Sequence, residues 1–338
     1  MTRRSGGRAS YEAGPNIALV KYWGVRDADL VLPNNSSLSV TLGRFRTRTT
    51  VAFDPALGAD EFFLGGVRAS GGPLEDVTRF LDRVRTLAGS GERARVTSRN
   101  NFPTASGLAS SASGFAALAG AASRAAGLDL STRALTQLAR LGSGSASRSV
   151  FGGFVEWRAG TRPDGRDCYA VPIAEADHWP ELVDRVALVR NAPVKAVRSA
   201  VAMQSTVRTS PGYARRLEEV PGRIARLRRA IRDRDAETLF ATIIEECDSF
   251  RGVCESTTPK LDYLTGTSRA ILEAVRAANA EAGRPVAAYT HDAGAHVHVF
   301  TLSEELPKLE RRLGRVPGVE RWLTVRPGPG GRPVGAAR

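Results

Sequence analysis

The chain has 338 residues, 42% of them hydrophobic, enough for one large or two medium domains with real cores. Its 48 Lys and Arg against 35 Asp and Glu give a net charge of +13, which suits a polyanionic partner; but the arginines are scattered, aromatic residues make up only 7%, and no nucleic-acid-binding module is visible. Three dispersed cysteines (Cys168, Cys247, Cys254) and four histidines lack metal-site spacing, so a structural zinc site is not expected and a reducing, cytoplasmic setting is.

The basic N-terminus MTRRSGGRAS has no apolar segment behind it, and no run reaches membrane-spanning length. Residues 1–13 are expected to be loosely attached. Ala13 to Gly24 (AGPNIALVKYWG) reads as a strand ending at a glycine turn. Lys21 can neutralise phosphate, while Tyr22 and Trp23 can form an apolar wall with polar tips; the plainer reading is an edge strand with aromatic core residues. Pro33-Asn34-Asn35 is a turn before a strand to Leu42. Phe45 to Phe53 alternates as a strand, with Glu61 to Leu64 as its hairpin partner. Leu74 to Leu87 has helical spacing, and Arg93 to Ser98 alternates again. Ser131 caps a helix running to Leu141. Phe151 to Trp157 and Cys168 to Ile173 read as strands. Composition shifts near residue 190, and Tyr213 to Ala280 is mostly helical. Its basic run, Arg215 to Arg234, carries Ile224, Leu227 and Ile231 at helical spacing and reads as an amphipathic helix with a solvated basic face. Val286 to Thr290 and His296 to Thr301 are strands around a turn at Asp292. Ser303 caps a helix to Leu313, Val319 to Val325 is a last strand, and the tail 326–338 is expected to be loose. Helices that do not strictly alternate with strands point to an α+β fold of two domains, residues 14–190 and 191–325.

The stretch from Phe102 to Trp157 is the most informative. Pro103 and Gly107 break the chain before an Ala-rich helix that Gly127 ends. Unpaired N–H groups and the positive end of the helix dipole therefore collect near Gly107-Leu108-Ala109-Ser110-Ser111, where small residues let a polyphosphate approach. A closely packed Ala/Gly helix with a serine cap is the plainer alternative. The sequence is neither GxxxxGK[ST] nor GxGxxG. Further on, Ser143-Gly144-Ser145-Ala146-Ser147-Arg148 places three hydroxyls and a guanidinium within six residues, a cradle for phosphate or carboxylate.

The form P-x-x-x-G-L-x-S-S-A resembles the phosphate loop of the GHMP small-molecule kinases. Together with NIALVKYWG, LPNNSSLSVTL, GSGSASRS with GGFVEW, VRTSP and YTHDAG, in that order, the chain resembles the mevalonate diphosphate decarboxylase family within that group, from about Pro15 to Phe300. The resemblance implies a GHMP-type two-domain fold with the active site in the cleft between domains. It implies an enzyme that uses ATP and Mg²⁺ to phosphorylate the C3 hydroxyl of mevalonate 5-diphosphate, then loses phosphate and CO₂ to give isopentenyl diphosphate. A homodimer is expected, with neither nucleic acid nor membrane as partner. The residues it marks are Asp292, Lys21, Arg148 and Asn16 as catalytic, and Tyr22, Trp23, Gly24, Ser143, Gly144, Ser145, Arg148, Ser199 and Thr209 around substrate. Gly107, Leu108, Ala109, Ser110 and Ser111 are marked for ATP, and no direct protein ligand for the metal. Val25, where the family often has a second lysine, and the segment Arg198 to Met203, where only Ser199 and Met203 match, keep open a substrate bearing a single 5-phosphate. His291 and His296 flank the marked aspartate, and Lys260 stands where the family has a second proline. A kinase that stops at the 3-phosphate, and a basic nucleic-acid-binding protein, are the other readings.

Overall fold

The computed structural model describes residues 7–102, 110–193 and 197–335. In chain order these form β1 (Arg8–Ala13), β2 (Asn16–Val20), β3 (Val25–Asp27), β4 (Leu32–Pro33), β5 (Ser37–Thr41), β6 (Thr47–Asp54), β7 (Glu61–Leu64), β8 (Val67–Arg68), α1 (Gly72–Ala88) and β9 (Arg93–Asn100). Next come α2 (Ser110–Ala125), α3 (Thr132–Arg140), a 3₁₀ turn (Gly144–Val150), β10 (Phe154–Trp157), β11 (Ala170–Ala174) and β12 (Leu182–Val189). The rest is α4 (Ser199–Thr209), α5 (Tyr213–Asp233), α6 (Ala236–Glu255), α7 (Gly266–Ala282), β13 (Ala287–Thr290), β14 (Val297–Leu302), α8 (Leu306–Leu313), β15 (Val319–Val325) and β16 (Arg332–Val334).

Among the described residues three larger sheets, in strand orders β16-β1-β6-β9-β7-β8, β11-β10-β5-β2 and β13-β14-β12-β15, organise the fold, with β3 and β4 forming a small fourth. Helix α2 explains its own composition: it packs on β1 so closely that a Cβ at Gly120 would lie 2.4 Å from the Tyr11 ring. Only small residues tolerate that approach, so tight packing and a helix N-terminus near the cleft are both properties of this one helix. One apolar cluster joins β2 and β5 to α5, α6, β12 and β14 through Ile17, Leu38, Ile224, Phe240, Leu182 and Phe300. The helices of the second half thus pack directly on the sheet that carries Lys21.

Several expectations are corrected. Residues 8–13 are not loose: they pair with β6 and β16, and Tyr11 is buried. The tail is ordered through residue 335, because its glycines are close-contact residues rather than linkers. A Cβ at Gly328 would meet the Gly43 Cα at 2.1 Å, and Gly153 N–H donates to the Gly328 carbonyl at 2.9 Å. The division at residue 190 falls one strand late, since β12 pairs with β14 and β15. Strand β7 runs parallel to β9 instead of forming a hairpin with β6. Glu305, not Ser303, precedes α8. Helix α5 forms as expected, but Arg216 and Arg223 are buried rather than solvated.

Candidate active site

Strand β2 is an edge strand, and the chain leaves it at Lys21. The Lys21 side chain is 3% exposed, and its Nζ donates to the Ala18 carbonyl at 2.8 Å and to Asp292 Oδ1 at 2.9 Å. Asp292 lies just after β13, in the turn leading to β14, so the pair joins the two halves of the chain. About a third of the Asp292 side chain is open to solvent. Its surroundings hold the carboxyl below its ordinary pKa: burial opposes the charged form, but the Lys21 ammonium, by charge and hydrogen bond, outweighs it, with weaker help from His298 and Arg148. The neighbouring His291 is buried, packs with its ring tilted against Phe250 at 5.8 Å between centroids, and hydrogen-bonds through Nδ1 to the Asp292 carbonyl at 2.7 Å. Its Nε2 has no hydrogen-bond partner among the described residues. Burial, then the charge of Lys21, pushes this imidazole down to about 4, so it is neutral at physiological pH.

Arg148 lies in the last turn of the serine-rich 3₁₀ segment. It is buried, and its Nε donates to Asn16 Oδ1 (3.2 Å) and Ser39 Oγ (2.9 Å), its Nη1 to Ser37 Oγ (2.5 Å). Asn16 in turn donates to the Ser145 carbonyl (3.1 Å) and Ser149 Oγ (2.8 Å). The guanidinium is thus surrounded by neutral oxygens, and no carboxylate among the described residues forms an ion pair with it. Burial pulls its pKa down to about 10, with Asp292 and Tyr22 partly offsetting the effect. A buried cation with only neutral partners is poised to take an anion. Tyr22 sits edge-on to Trp157 at 4.9 Å, and a Cβ on Gly144 would collide with both rings, so the backbone of the serine turn packs against them. The hydroxyls of Ser143 and Ser145 lie 3.3 Å apart.

A cavity of about 340 Å³ lies beside the start of α2. Phe62, Leu64, Val77, Phe115 and Leu118 supply apolar walls, with polar edges at Ser98, Asn100, Ser110 and Ser111. Gly107, Leu108 and Ala109, expected to cradle phosphate, lie outside the described residues. A second depression of about 250 Å³, between α7 and α8, contains none of the expected site residues.

Residues 13–170 match the diphosphomevalonate decarboxylase-like N-terminal domain, and residues 185–323 match the mevalonate 5-diphosphate decarboxylase C-terminal domain. The chain belongs to the diphosphomevalonate decarboxylase family. It is 42% identical over 306 residues to the diphosphomevalonate decarboxylase of Bos taurus, covering 86% of this chain and 75% of that one. It superimposes on mevalonate diphosphate decarboxylase from Staphylococcus aureus with a TM-score of 0.91, at 35% identity and covering 98% of each chain. A further solved relative, MDDEF in complex with MVAPP, AMPPCP and magnesium, matches with a TM-score of 0.90 at 37% identity, covering 98% of this chain and 99% of that one.

Within this decarboxylase-family fold, Asn16, Lys21, Tyr22, Arg148 and Asp292 converge, and Ser110 and Ser111 line the cavity. Trp23 does not form a wall of the cleft. Its ring is 4% exposed, packed against Phe250 and Tyr263 in a core cluster with Met203. Gly24 is forced by that packing: its φ is +99°, and a Cβ would lie 1.9 Å from the Tyr213 hydroxyl. Ser199 opens α4, and the preceding Arg198 bonds Asp76 of α1 at 2.5 Å. Thr209 ends α4 with its hydroxyl engaged by the Ser205 carbonyl and the Thr258 N–H, each at 2.8 Å. Sequence reasoning missed Ser37 and Ser39, although serines two apart on a strand point to one face. It also missed the part of the cavity lining that comes from β6, β7, α1 and β9 and carries no local motif.

Proposed function

We propose that this chain is an ATP-dependent decarboxylase of mevalonate 5-diphosphate, with Asp292, Lys21, Arg148 and Asn16 as its catalytic centre. The observation that carries this reading is the buried Arg148, without an ion-pair partner among the described residues, facing a Lys21–Asp292 pair. A substrate carboxylate beside a hydroxyl fits that combination: the guanidinium binds the carboxylate and the aspartate binds the hydroxyl.

Asp292 accepts a hydrogen bond from the C3 hydroxyl and takes its proton as the oxygen attacks the γ-phosphorus of ATP. A tertiary alcohol is a poor leaving group, and phosphorylation makes it a good one. Once Asp292 has released that proton to solvent, the C3–O bond breaks with its electron pair on phosphate, leaving positive charge at C3 beside the Asp292 carboxylate. The C–C bond to the carboxylate breaks next. Its electron pair forms the new double bond, and CO₂ departs. Arg148 holds the carboxylate in line for that step, and Lys21 keeps Asp292 ionised. Ser143, Ser145 and Ser199 are assigned to the 5-diphosphate, and the cavity bordered by Ser98, Asn100 and Phe115 to the nucleoside.

Mg²⁺ prefers hard oxygen ligands and binds largely through substrate phosphates. No cluster of three His, Cys, Asp or Glu side chains able to hold a metal occurs among the described residues. The Ser111 hydroxyl at the cavity edge fits an ion carried by ATP, to which it would add one ligand; when bound, the ion supplies charge neutralisation between phosphates. The two halves of the molecule meet at this centre, and the tail after residue 326 rejoins the first half.

The test is to supply ATP and Mg²⁺ with mevalonate, its 5-phosphate or its 5-diphosphate, following CO₂ and ADP together. CO₂ mainly from the diphosphate supports the reading. CO₂ mainly from the monophosphate reassigns the substrate, and ADP without CO₂ reassigns the reaction to a kinase.

A further inference from the structure

The backbone at Lys21 has lost its sheet. Strand β2 is at a sheet edge, its register with β5 shifts between Ala18 and Val20, and the strand ends at Val20. The Lys21 N–H and C=O are nonetheless satisfied. Glu246 Oε1 on α6 accepts the Lys21 N–H at 2.9 Å, and Arg216 Nη2 on α5 donates to the Lys21 carbonyl at 3.2 Å, which also takes a bond from Asn35 Nδ2 at 2.9 Å. The two clamping side chains are a bidentate ion pair, Nη2 to Oε1 at 2.6 Å and Nη1 to Oε2 at 2.9 Å, and are 0 and 1% exposed. Arg223 Nη1 adds a third contact to Glu246 Oε2 at 3.1 Å. Glu246 therefore receives four donors, and the pair substitutes for the missing neighbouring strand.

We infer that Arg216 and Glu246 are positioning residues: they fix the Lys21 backbone so that its ammonium stays on Asp292. A buried group of ion pairs is an expensive way to gain stability, because desolvation consumes most of the attraction. A fixed geometry at a reacting group justifies it better, since a displacement of about 1 Å can lower a rate about 100-fold. The clamp also couples the helices of the second half to the lysine of the first.

The inference rests on the catalytic assignment of Lys21 and Asp292, which Asp292→Ala tests independently. The clamp is tested with Glu246→Gln and Arg216→Lys. Glu246→Gln puts an amide N–H against guanidinium donors, and Arg216→Lys keeps the charge but loses the fork that reaches the Lys21 carbonyl. Rates are normalised to folded enzyme by circular dichroism, and kcat is measured against pH. The titratable and charged groups around Asp292 are Lys21 just after β2, Arg148 from the 3₁₀ turn, His298 from β14 and its neighbour His291; of these, the Lys21 side chain makes the direct contact. Loosening Lys21 removes the interaction that favours ionised Asp292, so the carboxyl protonates more readily and the acid limb of kcat moves to higher pH.

The expected result in both variants is kcat down about 10- to 100-fold, KM for ATP within threefold, and the acid limb moved upward. If either variant fails to fold, the other is read by the same criteria. An unchanged acid limb, or a rate per folded molecule equal to wild type, overturns the inference.

Discussion

Replacing Arg148 tests the central electrostatic argument most severely. In Arg148→Met the side chain keeps an unbranched apolar stem but loses every donor and the charge. Three contacts within the protein disappear, to Asn16, Ser37 and Ser39. Hydroxyls can rotate to new partners, and removing a buried cation without an ion-pair partner relieves its desolvation, so the net loss of stability is expected to be no more than about 2 kcal/mol. Catalysis suffers far more. Hydrogen bonds to charged groups are worth roughly 1.5–3 kcal/mol each, and a bidentate carboxylate contact makes two. The predicted fall in kcat/KM is therefore about 10²- to 10⁴-fold, at about 1.4 kcal/mol per factor of ten. Arg148→Lys keeps the charge but not the fork and should recover part of that loss. The assay couples ADP release to CO₂ capture, with chemical denaturation run on the same preparations. A kcat/KM within threefold of wild type in Arg148→Met refutes the argument, as does a loss of activity that simply follows the unfolded fraction.

Asp292→Ala should reduce CO₂ release by at least about 10³-fold while a fluorescent ATP analogue still binds with near wild-type affinity; retained turnover excludes Asp292 as the base. His291 is buried with its pKa pushed down to about 4 from 6.5, so between those values the unfolded chain binds a proton that the folded chain does not. Stability is then lost as pH falls from about 6.5 towards 4, by roughly 3 kcal/mol in all. In His291→Phe, whose ring can pack on Phe250 in the same way, unfolding measured from pH 4 to 7 should show that much less pH dependence; an unaltered slope contradicts the assignment. Gly24→Ala should destabilise by about 2–4 kcal/mol in urea unfolding, combining a positive φ with loss of the Tyr213 hydrogen bonds to Trp23 and Asn34; a neutral result would mean that the turn relaxes freely.

The centre of the site was legible because its residues sit in short local runs. Asn16 starts a strand that Lys21 directly follows, Ser143 to Arg148 lie in one turn, and Asp292 lies just after another strand. The long helices and most strands were legible for the same reason, a clear period of 3.6 or 2. What stayed hidden depends on distant pairing. The Glu246–Arg216–Arg223 network joins residues on two helices, and within the helix pattern its arginines look like solvated ones until Glu246 is seen beneath them. The tail looked loose because glycine and proline mark linkers in a sequence, whereas here the glycines admit backbone against backbone. Trp23 read as a cleft residue because its neighbours are, yet the turn at Gly24 directs its ring into the core. Strand β12 escaped notice because a fully buried strand shows no alternation, which also displaced the boundary between the halves.

The most direct test of the account uses mevalonate 5-diphosphate labelled in its carboxyl carbon, with ATP and Mg²⁺, comparing wild type with Asp292→Ala. One labelled CO₂ for each ADP and each phosphate from the wild type, with neither from the variant, is the predicted result. ADP formed without labelled CO₂, or CO₂ released equally by both proteins, would contradict it.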